Sequence, residues 1–578
     1  MAETDIELYG TDAPPAVSRR FAIGRLAFEL IGGQLRSICV DGAEAVRGIQ
    51  YLVRDRDWGT LAPAIRDFRV EESSGELRIG YRADCAGLTY TARIVASNDA
   101  LDFAVEAETI SDVITNRLGF CVLHPASLAG APLRIEHGDG SAEDSCFPEL
   151  IDPWQPFTDI AALIHRQDGV TVACRLEGDS FEMEDQRNWS DASYKTYVRP
   201  LAKPWPYRMP AGTIDRQSVR LEVTGGTARP ARPSGPIELE IGDPIGAMPR
   251  IGLVLTPDQT IDHTALRDSG VQDLLLSFAA NAGHGLAEMQ ALACAVDGSP
   301  HRKTLECVIE ADGDLDAELR AIADHVARAG LTLDAVAVYP APDLQSTPPG
   351  SEWPPCPPLA DVYDAARRAF PGLALGGGMY SYFTELNRKR PPLDRVDFVS
   401  HATCPIVHAA DDLSVMQSLE AIPHIVRSAR AVVGDKPYRL GPITIGMRQN
   451  PYGSRTMPNP GRERIPMAMA DPRQDGRFAA AWTIGYAAAT EGAALDTLTL
   501  GALTGPMGVA GRPVFEAVQA LAKLAGSERH ECRSSAPDRV AAIAAGGTIL
   551  LANLTAEAPV VRTPKGEITL APFGIATL

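Results

Sequence analysis

Paired cysteines, long apolar runs and an excess of basic residues are all missing from this chain of 578 residues. None of the ten cysteines forms a CxxC pair, so we expect reduced, mostly buried thiols and no thiolate zinc site. No apolar stretch reaches about 18 residues, so no transmembrane helix is predicted. The 74 acidic residues outnumber the 54 basic ones, and a net charge of −20 argues against nucleic acid and anionic membrane surfaces as partners.

Several motifs of common enzyme classes are also missing. The first residues, MAETDIELYG, lack the basic start and apolar run of a signal peptide, so a cytoplasmic location is expected. There is no GxSxG, no GxGxxG after a predicted strand and no P-loop. These absences argue against a serine-hydrolase elbow, a dinucleotide fold and a nucleotide triphosphatase.

Three domains are predicted from the pattern along the chain. Residues 1–235 show short alternating strands such as LDFAVEA, in which Leu101, Phe103, Val105 and Ala107 share one face. Many such strands without long helices predict an antiparallel β-sandwich. The segment TGGTARPARPSGP, residues 224–236, is rich in Gly and Pro and is predicted to be a linker.

Residues 250–525 change to short apolar runs that alternate with helical patterns. Eight runs separated by helices predict a (β/α)8 barrel of the TIM type. The runs are IGLVL (251–255), DLLLSF (273–278), LECVIE (305–310), AVAVYP (335–340), LALGGGM (373–379), FVSHATC (398–404), YRLGPITI (438–445) and LDTLTLG (495–501). Residues 530–578 return to strand-like sequence and predict a small C-terminal β-domain packed on the barrel.

The predicted strand ends supply candidate functional side chains, because catalytic groups of such barrels lie at the carboxyl ends of the strands. No His-x-His follows the first strand, which argues against a metal-dependent amidohydrolase. Barrel glycosidases with this domain order resemble one another in placing a Glu after the fourth strand and a second after the seventh, and neither is present. The ends instead carry Glu310 (third), Tyr380, Tyr382 and Glu385 (fifth), His401 with His408 beyond it (sixth) and Arg448 (seventh).

Three segments carry a family resemblance. They are EDQRNWSDASYKTYVRPLAKPWPY (184–207), GGGMYSYFTELNR (376–388) and FVSHATCPIVHAADD (398–412). Together with the length and the three-part layout, they resemble the D-apionate lactonases of bacterial apiose catabolism. The resemblance implies hydrolysis of D-apionolactone, a five-membered sugar lactone, to D-apionate, with a small-molecule substrate.

Roles for the candidate residues follow from the chemistry of lactone hydrolysis, which needs a base for water, donors for the oxyanion and an acid for the leaving alkoxide. Glu385 and Glu310 are the candidate bases, and His401 is the candidate acid. Arg448 and Lys195 are candidates for binding the oxyanion or the product carboxylate. The remaining candidates, for hydroxyl binding and stacking under a sugar ring, are Asp185, Asn188, Trp189, Tyr380 and Tyr382.

Structural roles remain open beside these functional ones. Glu310 also suits a structural ion pair, Glu385 the first turn of a helix, and His401 a core histidine. His408 and His424 are interpreted as helix or loop residues. Two other functions also stay open: a divergent glycoside hydrolase, and an inactive carbohydrate-binding protein.

No organic cofactor is predicted. His, Asp and Glu show no recognisable ligand spacing, so no metal is assigned, although a divalent cation could serve a lactonase as a Lewis acid. The oligomeric state is left open.

Overall fold

The computed structural model describes residues 4–56, 58–226 and 235–578. Most of the predicted linker, residues 224–236, lies outside the described residues. The ten cysteines are free thiols. Within the described ranges, no helix combines the length and the apolar character needed to cross a membrane.

The first domain is an antiparallel β-structure, as predicted. A short helix, α1 (Asp5–Tyr9), precedes it. Its strands are β1 Ser18–Ile23, β2 Leu26–Ile31, β3 Gln34–Val40, β4 Ala43–Arg54, β5 Ala64–Ser73, β6 Glu76–Cys85, β7 Leu88–Ala96, β8 Ala100–Thr109, β9 Val113–Thr115, β10 Arg117–Pro125, β11 Pro132–His137, β12 Ala142–Cys146, β13 Phe157–Gln167, β14 Val170–Glu177, β15 Phe181–Asp185, β16 Ser193–Val198, β17 Tyr207–Met209 and β18 Ile214–Gly225.

Most of these strands form one sheet that folds onto itself around a single apolar core. The sheet runs β1-β2-β3-β4-β10-β16-β15-β13-β14-β18-β8-β7-β6-β5. Phe103 on β8 and Phe120 on β10 meet in this core, with ring centroids 5.0 Å apart. The predicted face of β8 is buried throughout, because period-two alternation places its apolar side chains on one side of the sheet.

Four adjacent strands of this sheet, β4, β10, β16 and β15, have a polar outer face. Phe120, Tyr194 and Met183 point into the apolar core. The alternate residues, such as Lys195 and Glu184, therefore point to the opposite face. This face is turned toward the second domain and contributes side chains to the candidate active site.

The second domain is the predicted eight-stranded parallel barrel, which closes between β20 and β27. A strand that precedes it, β19 (Ile237–Ala247), belongs to the third domain. The barrel strands are β20 Arg250–Leu255, β21 Asp273–Ala279, β22 Arg302–Ile309, β23 Ala335–Pro340, β24 Ala374–Tyr382, β25 Phe398–Thr403, β26 Tyr438–Ile443 and β27 Leu495–Ala502. The helices are α2 His263–Ser269, α3 Leu286–Ala295, α4 Leu315–Ala329, α5 Leu359–Ala369, α6 Phe383–Arg388, α7 Asp412–Gln417, α8 Ile422–Val433, α9 Arg477–Ala489 and α10 Val514–Leu524.

Hydrogen bonds and ion pairs join the first domain to the carboxyl-terminal side of the barrel. The side chains of Thr384 and Asn387 on α6 donate to the main-chain oxygen and the Oδ1 of Asn188, at 2.8 and 3.1 Å. The Arg47 guanidinium on β4 lies 2.7 Å from the Glu420 carboxylate, just before α8. The two domains therefore hold each other in a fixed orientation at the end of the barrel where loops form active sites.

The third domain is a small β-sheet built from both sides of the barrel. Its strands beyond the barrel are β28 Glu528–Ser534, β29 Val540–Ala545, β30 Thr548–Asn553, β31 Val560–Thr563, β32 Gly566–Thr569 and β33 Ile575–Thr577. The sheet order is β32-β31-β19-β28-β29-β30-β33, so β19 lies near its centre. The sequence prediction assigns residues 237–247 to no domain, because their partner strands lie roughly 280 to 325 residues away along the chain.

Candidate active site

A cluster of charged and aromatic side chains fills the space between the polar face of the first domain and the barrel loop after β25. We name it the interdomain cluster; its members are Arg54, Arg117, Glu184, Asp191, Lys195, Tyr197 and His408. Six of them come from the first domain, and His408 comes from the barrel.

The sheet supplies a pair of oppositely charged side chains at the base of the interdomain cluster. Glu184 on β15 and Lys195 on β16 are directly opposite in the antiparallel register. Their side chains meet with Nζ and Oε1 2.5 Å apart, and the Lys195 side chain is 6% exposed. Two residues along β16, the Tyr197 hydroxyl donates to Glu182 at 2.6 Å. These hydrogen bonds fix the positions of the Lys195 and Tyr197 side chains in the absence of a ligand.

A histidine–aspartate pair spans the two domains. Asp191 follows a short 3-10 helix, Gln186–Trp189, that ends at Ser190 in the left-handed conformation (φ 68°). His408 lies in the loop between β25 and α7. The Nδ1 of His408 is 2.7 Å from Asp191 Oδ2, and the side chains remain 20% and 15% exposed. Among the described residues no hydrogen bond occupies Nε2 of His408, so this nitrogen is available to a ligand.

The charges around His408 set its protonation state. Burial lowers the pKa of His408, Asp191 opposes this shift, and Lys195 adds to it. The net result is a pKa below the ordinary value, so the imidazole is neutral at pH 7. For Glu184, burial raises the pKa, but the Lys195 ammonium and its other charged neighbours outweigh burial and lower it. The interdomain cluster thus combines a neutral imidazole with a buried ammonium–carboxylate pair.

Two arginines stand side by side at the other end of the interdomain cluster. Arg54 on β4 and Arg117 on β10 are directly opposite in the antiparallel register. The Arg117 guanidinium lies over the Tyr197 ring, with its carbon 3.8 Å from the centroid, and 5.3 Å from the centroid of the Trp58 ring. Burial lowers the pKa of Arg54 to about 10, and the charge of Arg117 adds to this effect.

The barrel interior contains a second buried ion pair. Arg448, from the loop after β26, reaches down to Glu306 on β22 with a bidentate contact of 3.1 and 2.5 Å. Its guanidinium stacks on Tyr380 at 3.7 Å. A small cavity of about 30 Å³ lies beside Glu306 and Tyr339 inside the barrel. Arg448, which is predicted to bind the oxyanion or the product carboxylate, is therefore already paired with Glu306.

Glu385, a predicted base, lies in a closed network instead of facing a cavity. Its Oε1 accepts a hydrogen bond from Ser346 Oγ at 2.6 Å and lies 3.4 Å from Arg388. Its side chain and that of Arg388 are each 3% exposed. Burial raises the pKa of Glu385, while Arg388 and Ser346 act against this rise. The arrangement favours a structural tie between α6 and the loop after β23.

His401, the predicted acid, points away from the barrel interior into the helix layer. Its Nε2 lies 2.7 Å from the Tyr438 hydroxyl, its Nδ1 lies 2.9 Å from the main-chain oxygen of Ala402, and its ring is fully buried. Burial lowers its pKa to about 4. Both ring nitrogens are occupied, which favours the core-histidine alternative.

The other predicted residues separate into different places. Glu310 is exposed after β22, and Tyr382 is buried with its hydroxyl on the main-chain oxygen of Gln449. Asp185 is fully buried and makes a bidentate contact with Arg187, at 2.8 and 2.7 Å. Burial and these contacts keep Tyr382 and Asp185 away from a substrate, while Glu310 is exposed to solvent.

Two residues of the predicted 184–207 segment border the interdomain cluster. Asn188 holds the first domain onto α6 through contacts given above. Trp189 stands edge-on to His408, with ring centroids 5.7 Å apart, and the Arg388 guanidinium lies 5.1 Å from the Trp189 centroid. Of the substrate-binding residues predicted from sequence, Lys195 lies inside the interdomain cluster and Trp189 on its wall.

Five members of the interdomain cluster were missed by the sequence predictions: Arg54, Arg117, Glu184, Asp191 and Tyr197. His408 was interpreted as a helix or loop residue. Asp191 and His408 are 217 residues apart, and only the docking of the domains joins them. The available signal was local: Glu184, Asp191 and Tyr197 lie within the polar segment 184–207. Among the described residues, no group of three or more His, Cys, Asp or Glu side chains is arranged to hold a metal ion.

Comparison with protein families assigns all three domains. Residues 6–226 match the D-apionate lactonase N-terminal domain, and residues 251–526 match the D-apionate lactonase TIM barrel domain. Residues 537–578 match the D-apionate lactonase C-terminal immunoglobulin-like domain. A curated relative, the D-apionate lactonase of Brucella anthropi, is 48% identical over 599 residues and covers 99% of this chain and 98% of its own.

Solved structures that align with this chain have much lower sequence identity. A family 51 α-L-arabinofuranosidase from Bifidobacterium longum aligns with 14% identity and a TM-score of 0.38, over 59% of this chain and 94% of its own. A putative aldose 1-epimerase from Escherichia coli K12 aligns with 10% identity and a TM-score of 0.25, over 36% of this chain and 99% of its own. Both scores are too low to support an argument from shape.

Proposed function

The chain belongs to the D-apionate lactonase family, and on that premise we propose that it hydrolyses D-apionolactone to D-apionate at the interdomain cluster. The relative's name supports the substrate, because the two sequences align over nearly their full lengths. The contact that carries the choice of site is the hydrogen bond between His408 and Asp191. His408 provides a neutral imidazole on the loop after β25, and barrel enzymes carry their catalytic groups on such loops.

His408 acts as the general base. Asp191 accepts a hydrogen bond from the Nδ1–H group, which fixes the tautomer and leaves the lone pair on Nε2. Because its pKa is lowered, His408 is unprotonated at pH 7 and takes a proton from the attacking water. We assign the base to His408 instead of Glu385, Glu310 or His401, because only His408 combines a free nitrogen with a carboxylate partner and partial exposure.

Lys195 stabilises the oxyanion. When water adds to the lactone carbonyl, the carbonyl oxygen becomes negatively charged, and a buried ammonium is a strong electrostatic partner for it. Glu184 holds the Lys195 ammonium in position. Collapse of the tetrahedral intermediate breaks the bond between the carbonyl carbon and the ring oxygen. The His408 imidazolium then gives its proton to the departing alkoxide, and the new carboxylic acid ionises to D-apionate.

The two other functions raised by the sequence are not favoured. A glycoside hydrolase of the usual kind needs two carboxyl groups that flank the scissile bond. Glu385 is enclosed by Ser346 and Arg388, and Glu306 is occupied by Arg448. An inactive binding protein has no need of a base held in one tautomer.

A pH-indicator assay tests the proposal. Purified protein is mixed with D-apionolactone, other five-membered aldonolactones and six-membered glucono-δ-lactone, with and without EDTA. We expect acid release from D-apionolactone above the spontaneous rate, and loss of that release in His408→Gln. A protein that leaves every lactone intact while it cleaves a chromogenic glycoside would overturn the proposal. The EDTA arm reports separately on metal dependence.

A further inference from the structure

The Arg54–Arg117 pair places two like charges side by side, and the opposite charges of Glu184 and Asp191 act on it without direct contact. Arg117 is 5% exposed. Within residues 4–56, 58–226 and 235–578, its guanidinium makes no hydrogen bond. Within the described part of the chain, the Arg54 guanidinium donates a hydrogen bond to the main-chain oxygen of Trp58 alone, at 2.9 Å. The Nε of each arginine is buried without a partner. Within the same residues, no carboxylate oxygen lies within 4.0 Å of either guanidinium.

Such a pair costs stability when nothing is bound. Like charges directly opposite on neighbouring strands repel each other, and a buried ion without a partner loses its hydration. Three other buried arginines pair with a carboxylate: Arg187 with Asp185, Arg448 with Glu306 and Arg473 with Asp471. A fourth, Arg529, donates to the main-chain oxygens of Ala487 and Ala488. Arg117 departs from that pattern, because within the described residues neither a carboxylate nor a main-chain oxygen accepts a hydrogen bond from its guanidinium. This points to a ligand as its partner.

The geometry defines the class of ligand. Tyr197 and Trp58 contact the Arg117 guanidinium through their ring faces, so its position is fixed while its N–H groups remain unpaired. Planar guanidinium groups match the two oxygens of a carboxylate. Arg54 also interacts electrostatically with Asp191 and His408, which places the pair beside the proposed base.

We propose that Arg54 and Arg117 form an anion subsite that binds the carboxylate of the open-chain sugar acid. This inference rests on the proposed function and extends it. The neutral lactone gains negative charge as it reacts, and the arginines bind the charged product more tightly than the uncharged substrate. The subsite therefore shifts the equilibrium between enzyme-bound lactone and enzyme-bound acid toward the acid, and it makes the enzyme sensitive to inhibition by its product.

Isothermal titration calorimetry with D-apionate tests the subsite without turnover. The neutral alditol with the same branched skeleton is the control ligand. We expect Arg117→Met, which retains an apolar chain against Tyr197, to weaken D-apionate binding at least about tenfold and to leave alditol binding unchanged. Arg117→Lys retains the charge and is expected to retain part of the affinity. The surface variant Arg66→Met is the matched control, because Arg66 is exposed on β5 and pairs with Asp84.

Thermal unfolding gives a readout that separates a ligand role from a structural one. Removal of an arginine that only holds the fold lowers the melting temperature. Removal of Arg117 relieves the repulsion with Arg54, so ligand-free Arg117→Met is expected to melt at or above the wild-type temperature. D-apionate is expected to raise the melting temperature of the wild type and to have little effect on the variant. A variant that melts lower and binds D-apionate with unchanged affinity overturns the proposal.

Chemical modification of the wild type covers the case in which the variants fail to fold. Phenylglyoxal is added with and without D-apionate, and the modified peptides are identified by mass spectrometry. Protection of Arg54 and Arg117 by D-apionate, but not by the alditol, supports the subsite. Equal modification with and without D-apionate overturns it.

The outcomes also separate this inference from the proposed function. If D-apionolactone is not hydrolysed but another aldonate, such as D-gluconate or D-arabinonate, binds in an Arg117-dependent way, the substrate is wrong and the subsite stands. If Arg117→Met hydrolyses D-apionolactone like the wild type and binds D-apionate equally well, the subsite is wrong and the function stands. If none of these aldonates binds the wild type, the subsite is overturned.

Discussion

Asp191 and His408 belong to different domains and are joined by a single hydrogen bond of 2.7 Å. Each side chain is positioned by its own local structure: Asp191 by the turn after a 3-10 helix, and His408 by the loop between β25 and α7. The proposed catalytic pair therefore exists only when the two domains are docked. The enzyme is expected to depend on the domain contact as directly as on the catalytic residues.

Replacement of the proposed base should abolish most of the activity. His408→Gln keeps a polar side chain of similar size but provides no base, so kcat for D-apionolactone is expected to fall about 10²–10⁴-fold. Initial rates and circular dichroism measure activity and folding together. His263→Gln, at an exposed position that begins α2, is the matched control. A His408→Gln enzyme with wild-type kcat would falsify the assignment of the base.

The pH profile should respond to Asp191 in a defined direction. Since the pKa of His408 lies below its ordinary value, the wild-type rate is expected to hold its plateau at pH 7 and to fall only at lower pH. Asp191 raises that pKa. In Asp191→Asn the acidic limb should therefore move to lower pH, and the plateau should drop because the tautomer is no longer fixed. An acidic limb that moves to higher pH contradicts this arrangement.

Lys195 can be tested with a pair of variants. Lys195→Met removes the oxyanion donor and should lower kcat about 10²–10³-fold. It also leaves Glu184 buried without a partner, so stability should fall as well. The double variant Glu184→Gln/Lys195→Met should regain stability but not activity. Urea unfolding and initial rates on the three proteins separate the two effects, and recovery of kcat in the double variant would argue against the role of Lys195.

The Glu306–Arg448 ion pair should matter for stability more than for chemistry. Arg448→Met leaves the Glu306 carboxylate uncompensated inside the barrel, at a cost of about 3–5 kcal/mol in the free energy of unfolding. Glu306→Gln/Arg448→Met should be clearly more stable than Arg448→Met, because no charge is left unpaired. A double-mutant cycle in urea measures this coupling. Additive effects of the two substitutions would show that the pair is not coupled.

His401 should make the fold sensitive to acid. Its pKa is about 4 in the folded protein and near 6.5 when unfolded, so between these values the unfolded chain binds more protons. The free energy of unfolding should therefore decrease as the pH is lowered from 6.5 toward 4. Urea unfolding at pH 7, 6 and 5 tests this dependence. His401→Gln should make the free energy of unfolding depend less on pH, and the folded variant should retain turnover at pH 7. A folded variant without turnover would indicate that His401 takes part in catalysis.

The barrel was predictable because its signals are local. Each of the eight apolar runs is a strand, and the helical spacing between them leaves no other way to bury both faces of the sheet. The same local reasoning does not predict the position of Glu306. Strand ends were searched for functional side chains, whereas Glu306 lies within the run LECVIE and points inward to Arg448. A charged residue inside an apolar run was the signal that could have revealed it.

The interdomain cluster could not be predicted because it depends on long-range pairing. Arg54 and Arg117 become neighbours only through the register of β4 and β10. Asp191 meets His408 only after two independent domains have docked. Composition marks the 184–207 segment as unusual, but composition alone does not show which of its side chains face the sheet core, as Asp185 does, and which face the barrel, as Lys195 does.

The strand β19 has a consequence for synthesis of the protein. Ile237–Ala247 leaves the ribosome before the barrel, yet its neighbours β28 and β31 follow the barrel. Throughout translation of about half of the chain, this strand has no partner and both of its edges are open to other nascent chains. A chain truncated after the barrel keeps that exposure permanently, so the last 50 residues protect the enzyme against aggregation although they lie outside the proposed site.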